Sequence, residues 1–130
     1  MITPKTDWNG GADEFFNVSD YERITANLNE AARTAGIAEF VFYPAGYLTY
    51  QMNYAFSGIA GQYNKLIDAM GYAAVYPKIP VEGRTTWFLW RELNNIEGLC
   101  ADIDGRMEQI IKCGLPQAIC GGATTGGGLL

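Results

Sequence analysis

The sequence contains no histidine, which excludes a Ser-His or Cys-His catalytic pair and any metal site built on imidazole. Its three cysteines, Cys100, Cys113 and Cys120, are odd in number and lack CxxC spacing, so they do not predict a disulfide framework or a zinc site. We expect reduced thiols, no metal, no cofactor and no enzymatic activity. Charged residues are only 18% of the chain and its net charge is −5, so neither nucleic acid nor a membrane is an expected partner.

Long hydrophobic runs are also missing. The segment 40–64 carries no charge, but proline, glycine and amide residues interrupt it well before the ~20 apolar residues that a spanning helix needs. The start, "MITPKTDWNGG", has no basic and apolar pattern of a secretory signal. We therefore expect a chain that is synthesised and folded in a cytoplasm, and at 130 residues it can bury one core.

Three segments repeat apolar residues at helical spacing, and the first is Ser19 to Ala35. Ser19 is a candidate N-cap, and Glu22 can complete a capping box with it. Gly36 follows where a left-handed residue often ends a helix. The pattern predicts a helix over 19–35.

The second segment predicts a helix over 50–70, with Thr49 as a candidate cap and Gly71 at its end. Its predicted core stripe is Met52, Phe56, Ile59, Tyr63, Leu66 and Met70. Gly58 and Gly61 each weaken such a helix by roughly 1 kcal/mol relative to alanine. We expect another backbone to approach closely there.

The third segment predicts a helix over 87–112, with Thr86 as a candidate cap, Lys112 in the last turn, and Gly114 and Pro116 beyond it. Its predicted core stripe is Leu89, Leu93, Ile96, Cys100, Ile103, Met107 and Ile110. Cys100 is therefore expected to be a small buried residue and not a reactive thiol.

Three helices that are each apolar along one stripe bury those stripes most simply against one another. We predict an all-α fold, a three-helix bundle over 19–113. An N-terminal arm, 1–18, and a Gly-rich C-terminal arm, 114–130, flank the bundle. The C-terminal arm is too rich in glycine to order by itself, so we expect a partner to hold it.

The first and third helices also share sequence. "TDW" at Thr6 to Trp8 precedes "DYERI", and "TTW" at Thr85 to Trp87 precedes "ELNNI". "QYNKL" in the second helix is a weaker third copy. These motifs, with "PKTDW", "FNVSDYERI" and "TTWFLWRELNNIE", resemble short helical modules of structural proteins from bacteriophages and prophages of Gram-positive hosts.

The modules in that family open with a Thr and Trp pair, continue into a "DLNRIE"-like helix start, and often repeat within one chain. The resemblance implies a structural component of a tail, baseplate, collar or fibre, located in the virion after synthesis in the host cytoplasm. Its implied partners are other virion proteins and copies of itself. The resemblance implies no catalytic residue.

Two other motifs are weaker. "DIDGRME", Asp102 to Glu108, partly resembles a calcium loop but lacks the third ligand before its glycine and the distal glutamate. It lies within a strong helical period, so a solvated helix face is the better interpretation. "GGATTGGG" lacks the lysine of a phosphate-binding loop.

Aromatic residues provide the candidate interface. Tyr43, Tyr47, Tyr50 and Tyr54 are spaced four, three and four residues apart, and Tyr54 lies roughly 200° around a helix from Met52. They are either an outer stripe that contacts a neighbouring subunit, since tyrosine is a common interface residue, or a loop that covers the end of the bundle. Further candidates are the tryptophans that precede the helices, Trp8, Trp87 and Trp90, as a repeated plug that closes the bundle end or docks a neighbour.

Two functional classes remain. The first is a virion structural or adaptor protein that makes subunit contacts. The second is a free binding module, such as a tail-assembly chaperone or a glycan-binding fibre accessory, whose exposed aromatic rings meet a transient partner or a sugar.

Overall fold

A computed structural model describes residues 1–84 and 86–113, with side chains described up to 105. Four helices follow in order: α1 (Val18–Ala35), the single turn α2 (Tyr47–Tyr50), α3 (Met52–Met70) and α4 (Trp90–Cys113). This part of the chain contains no strand. The helix α1 packs against both α3 and α4, so the predicted three-helix bundle is confirmed. The predicted C-terminal arm, with Gly114, Pro116 and Cys120, lies outside the described residues.

The helix α1 begins one residue before the predicted start and uses a different cap. Asn17 occupies the N-cap position, and its backbone N–H donates to the Asp20 carboxylate at 2.8 Å. The predicted pair of Ser19 and Glu22 is therefore wrong, because Asp20 already lies at the third helical position. The predicted end is confirmed, since Gly36 has a φ of 77°.

The segment before α3 is broken where the sequence predicted a continuous helix. Gln51 has φ −136° and ψ 48°, which separates α2 from α3. Thr49 does not cap α3, since it lies within α2 and its hydroxyl donates to the Gly46 carbonyl. Met52 is 37% exposed and so does not belong to the core stripe. Gly71 ends α3 as predicted, with a φ of 69°.

The helix α4 begins at Trp90 and not near the predicted cap, Thr86. Glu92 at the third helical position accepts the Leu89 backbone N–H at 2.7 Å, as Asp20 does in α1. The two copies of the repeated sequence thus start their helices in the same way. Leu89 precedes the helix and is 46% exposed, so its place in the core stripe was a wrong prediction.

The core contains side chains from all three long helices and from the segments that cover them. Fully buried members include Ile24 and Leu28 of α1, Ile59, Tyr63 and Leu66 of α3, and Ile96, Cys100 and Ile103 of α4. The prediction of a buried Cys100 is confirmed. The side chains of Met107, Ile110 and Lys112 lie outside the described part of α4.

The glycines of α3 do not face another backbone, contrary to the prediction. A Cβ on Gly58 would lie 2.9 Å from the Phe40 ring, so the close neighbour there is a side chain. A Cβ on Gly61 would have nothing within 4 Å. A side chain at Gly58 would therefore displace the Phe40 ring, whereas a Cβ at Gly61 would displace nothing.

Four asparagines on the helices each hold one residue of an extended segment by its backbone. In each pair the side-chain amide donates to the carbonyl and its oxygen accepts the N–H, at 2.8–3.1 Å. The pairs are Asn27 with Ile2, Asn29 with Phe40, Asn64 with Ile79 and Asn94 with Trp8. These asparagine clamps satisfy backbone groups that have no partner strand.

Within the described residues, none of the helices combines the length and apolar character needed to cross a membrane.

Candidate functional site

The four predicted tyrosines come together at one surface, which we call the tyrosine cluster: Tyr43, Tyr47, Tyr50 and Tyr54. Ring centroids lie 4.7 Å apart for Tyr43 and Tyr47, 5.1 Å for Tyr47 and Tyr50, and 5.3 Å for Tyr43 and Tyr54. Tyr50 is 66% exposed and Tyr54 is 44% exposed, whereas Tyr47 is half-buried against the core. The cluster is thus a continuous aromatic surface anchored at one residue.

The tyrosine cluster forms because the chain folds back, and not because the four residues share one helical stripe. Tyr43 lies in the segment before α2, and its carbonyl accepts the Tyr21 hydroxyl at 2.7 Å. Backbone bonds from Tyr47 to Pro44 and from Gln51 to Tyr47 close the turns around α2. The segment therefore packs on the core through Tyr47 and still exposes the Tyr50 and Tyr54 rings, and contact of those rings with a neighbouring subunit stays a prediction.

The tyrosine cluster lies in the segment 40–64, which contains no charged residue. Val41 in the same segment is 92% exposed. Exposed aromatic and apolar side chains without charge are typical of the centre of a protein interface.

The tryptophans divide between the interior and the surface. Trp8 is only 4% exposed and stacks on Phe16 with ring centroids 5.9 Å apart. Phe16 in turn contacts Trp87 at 5.3 Å, so the aromatic residues before α1 and α4 meet in one plug. This plug contacts the same chain, and Phe56 of α3 completes it at 6.2 Å from Trp87.

Trp90, the first residue of α4, remains on the surface, at 42% exposed. It lies against Gly10, where a Cβ would be 2.6 Å from the Trp90 Cδ1 atom. The indole N–H of Trp87 is buried without a hydrogen-bond partner among the described residues. Trp8, which occupies the equivalent position in the first copy of the repeat, donates its indole N–H to Glu97.

A buried carboxylate organises the region around Trp8. Glu97 is 1% exposed and accepts four hydrogen bonds, each 2.8 Å long. The donors are the Lys5 backbone N–H, the Trp8 indole N–H, and the Nε and Nη2 groups of Arg23. Bonds to Glu97, and then to Asp20, raise the pKa of Arg23 above its ordinary value. We call these four residues, Lys5, Trp8, Arg23 and Glu97, the Glu97 network.

Sequence reasoning missed the Glu97 network, although one signal was present. Glu97 lies four residues after Leu93 and three before Cys100, so helical geometry places a carboxylate beside the core stripe. A carboxylate in that position requires donors, because an unpaired buried charge is strongly destabilising. The donors come from residues far away in the chain, so the spacing could not identify them.

Other polar groups of the described residues lie at a cleft, in acidic side chains and at the thiol of Cys100. A shallow cleft is lined by Met52, Asn53, Phe56, Arg84 and Thr86, but Arg84 is already paired with Glu92 at 2.9 Å. The described residues contain no group of three or more cysteine and acidic side chains that could hold a metal ion. Burial raises the pKa of the Cys100 thiol, which keeps it protonated and unreactive near neutral pH.

The acidic motif near the end of α4 agrees with its prediction where it is described. Asp102 is exposed and accepts the Tyr76 hydroxyl, which belongs to a segment packed over α4. Its carboxylate therefore serves a contact within the fold.

Comparison with protein-family models, with curated proteins and with solved structures found no match for this chain.

Proposed function

We propose that this chain is a non-enzymatic structural or adaptor protein of a bacteriophage virion, which contacts neighbouring subunits of a tail, baseplate, collar or fibre through the tyrosine cluster. The observation that carries the proposal is the exposure of the clustered rings of Tyr43, Tyr50 and Tyr54 in a segment that contains no charged residue. Large aromatic rings with polar tips supply interface area at low conformational cost. The repeated "TDW" and "TTW" motifs, which resemble phage structural modules, supply the virion context.

The fold favours a scaffold over a catalyst. Its buried polar groups are used to hold extended segments and the helix starts, as in the asparagine clamps and the Glu97 network. Such a framework presents a surface rigidly, and rigid presentation reduces the entropic cost of association.

Mutation of the tyrosine cluster tests the proposal. Tyr50→Ala and Tyr54→Ala each remove an exposed ring, so we expect weaker assembly with little loss of folding stability. Leu93→Ala is the matched control, since it empties a buried position and should lower the free energy of unfolding by about 2–5 kcal/mol. Native mass measurement reports assembly, and urea unfolding reports stability.

Two results would contradict the proposal. Unchanged oligomer mass in both tyrosine variants would remove the interface. A strictly monomeric chain that peptide mass spectrometry does not find in purified particles would remove the virion role. In that event the alternative is a free module, either a tail-assembly chaperone or a glycan-binding accessory, and the exposed Tyr50 ring would then be tested for stacking on sugars.

A further inference from the structure

Residues 1–9 form an extended segment, here called the docking arm, that is held by side chains of α1 and α4. Asn27 of α1 binds both backbone groups of Ile2, and Asn94 of α4 binds both backbone groups of Trp8. Glu97 of α4 also accepts the Trp8 indole N–H. The docking arm is thus bound in the way that proteins bind separate peptides, through its backbone and one large side chain.

Trp8 and the two α4 side chains that bind it belong to different copies of the sequence repeat, whereas Asn27, which binds Ile2, lies on the helix of the first copy. Trp8 is part of the first copy, whereas Asn94 and Glu97 are part of the second. At the corresponding positions of α1 the chain has Glu22 and Thr25, so the first copy lacks this receptor pair. The structure therefore already contains a contact in which the arm of one module docks on the helix of another.

A glycine hinge joins the docking arm to the bundle. Gly10 has a φ of 72°, and both it and Gly11 are exposed. Glu14 holds the hinge closed by accepting the N–H groups of Asn9 and Gly10, at 2.8 and 2.9 Å. Because no contact of Trp8 with α4 depends on the hinge, an arm from another copy could make the same contacts.

We propose that the docking arm exchanges between two copies of this chain, so that Trp8 of each copy binds Asn94 and Glu97 of the other. When each of the two copies donates its arm to the other, the dimer has two-fold symmetry and both receptors are occupied. The inference deepens the proposed function, because it names a second copy as one of the subunit partners. It uses no residue of the tyrosine cluster, so either idea can fail alone.

The variant Gly10→Ala tests the exchange. Alanine is strained at positive φ and its Cβ would meet Trp90, whereas an opened hinge is free of both restrictions. We expect about a tenfold penalty on each closed hinge, and hence about a hundredfold tighter dimerisation constant for two hinges. Sedimentation over a range of concentrations, supported by native mass spectrometry, measures that constant.

Gly36→Ala is the matched control, because Gly36 also has a positive φ but lies at the end of α1. It should lose stability and gain no dimer. Adding Trp8→Ala to Gly10→Ala removes the buried anchor of the arm and should weaken the dimer, whereas adding Tyr54→Ala should leave it intact. Gly10→Ala that dimerises no more than Gly36→Ala would overturn the proposal, as would a dimer that Tyr54→Ala weakens and Trp8→Ala does not.

A second measurement does not depend on the hinge variant. In the full chain with Trp8→Ala the docking arm loses its buried indole but keeps its backbone bonds to Asn27 and Asn94, so a synthetic peptide of residues 1–9 should displace it and raise the Tm of the chain. The same peptide carrying Trp8→Ala should have no effect. Absence of a Tm increase at millimolar peptide would show that the receptor does not accept an arm in trans, and would overturn the exchange.

Discussion

We expect the Glu97 network to contribute strongly to folding stability, and the substitution Glu97→Gln tests this prediction. The substitution keeps the shape of the side chain but removes the charge that receives two bonds from Arg23. It also places an amide N–H where Glu97 now accepts a donor. Because Glu97 is 1% and Arg23 15% exposed at the side chain, solvent screens their interaction only weakly. Breaking such a buried pair costs about 3–5 kcal/mol.

Arg33 and Glu39 provide the comparison, since they pair at 2.9 Å with side chains 56% and 48% exposed. Glu39→Gln should cost no more than about 1 kcal/mol. Urea unfolding followed by tryptophan fluorescence gives both values, and with a slope of about 1–3 kcal/mol/M the Glu97→Gln midpoint should fall by more than 1 M. If the two variants lose equal stability, the Glu97 network does not hold the fold together as inferred.

Two further predictions concern the thiol and the clamps. The folded pKa of Cys100 is raised above 9.0 by burial, so the unfolded chain ionises first and stability should fall above pH 9 by up to about 1.4 kcal/mol per pH unit. Cys100→Ala should remove that part of the pH dependence of the unfolding free energy, measured by urea unfolding between pH 8 and pH 10. An unchanged pH dependence would contradict the prediction. Asn64→Ala should cost about 1–3 kcal/mol and speed hydrogen exchange at the Ile79 amide, unlike Asn53→Ala at an exposed site. Equal exchange in both variants would refute the clamp.

Helical spacing was sufficient to predict the three long helices, because their apolar stripes are continuous over several turns. It was insufficient at the helix starts. Ser19 and Thr86 have the right chemistry for caps, but the decisive residues are Asp20 and Glu92, each of which accepts the backbone N–H of the residue just before its helix. Several cap candidates lie within a few residues, and spacing does not choose among them.

The candidate site was predicted in composition but not in arrangement. Pattern alone identified the tyrosines, yet Gln51 interrupts their helix and the ring contacts arise from the fold-back of the segment before it. Trp8 was predicted as an interface residue and is buried in its own chain, where it reaches another subunit only if the docking arm leaves. Contacts between residues 8 and 97 depend on tertiary packing, which local periodicity does not encode.

The asparagine clamps impose an unusual pattern of mutational tolerance on the segments they hold. Each clamp binds an N–H and a carbonyl and not the side chain, and proline does not fit it, because proline has no N–H. Proline is thus excluded at Ile2, Trp8, Phe40 and Ile79, whereas Pro80 shows that it is accepted next to Ile79. A library that varies these segments should lose proline at the clamped positions, and also at Asn9, whose N–H Glu14 accepts.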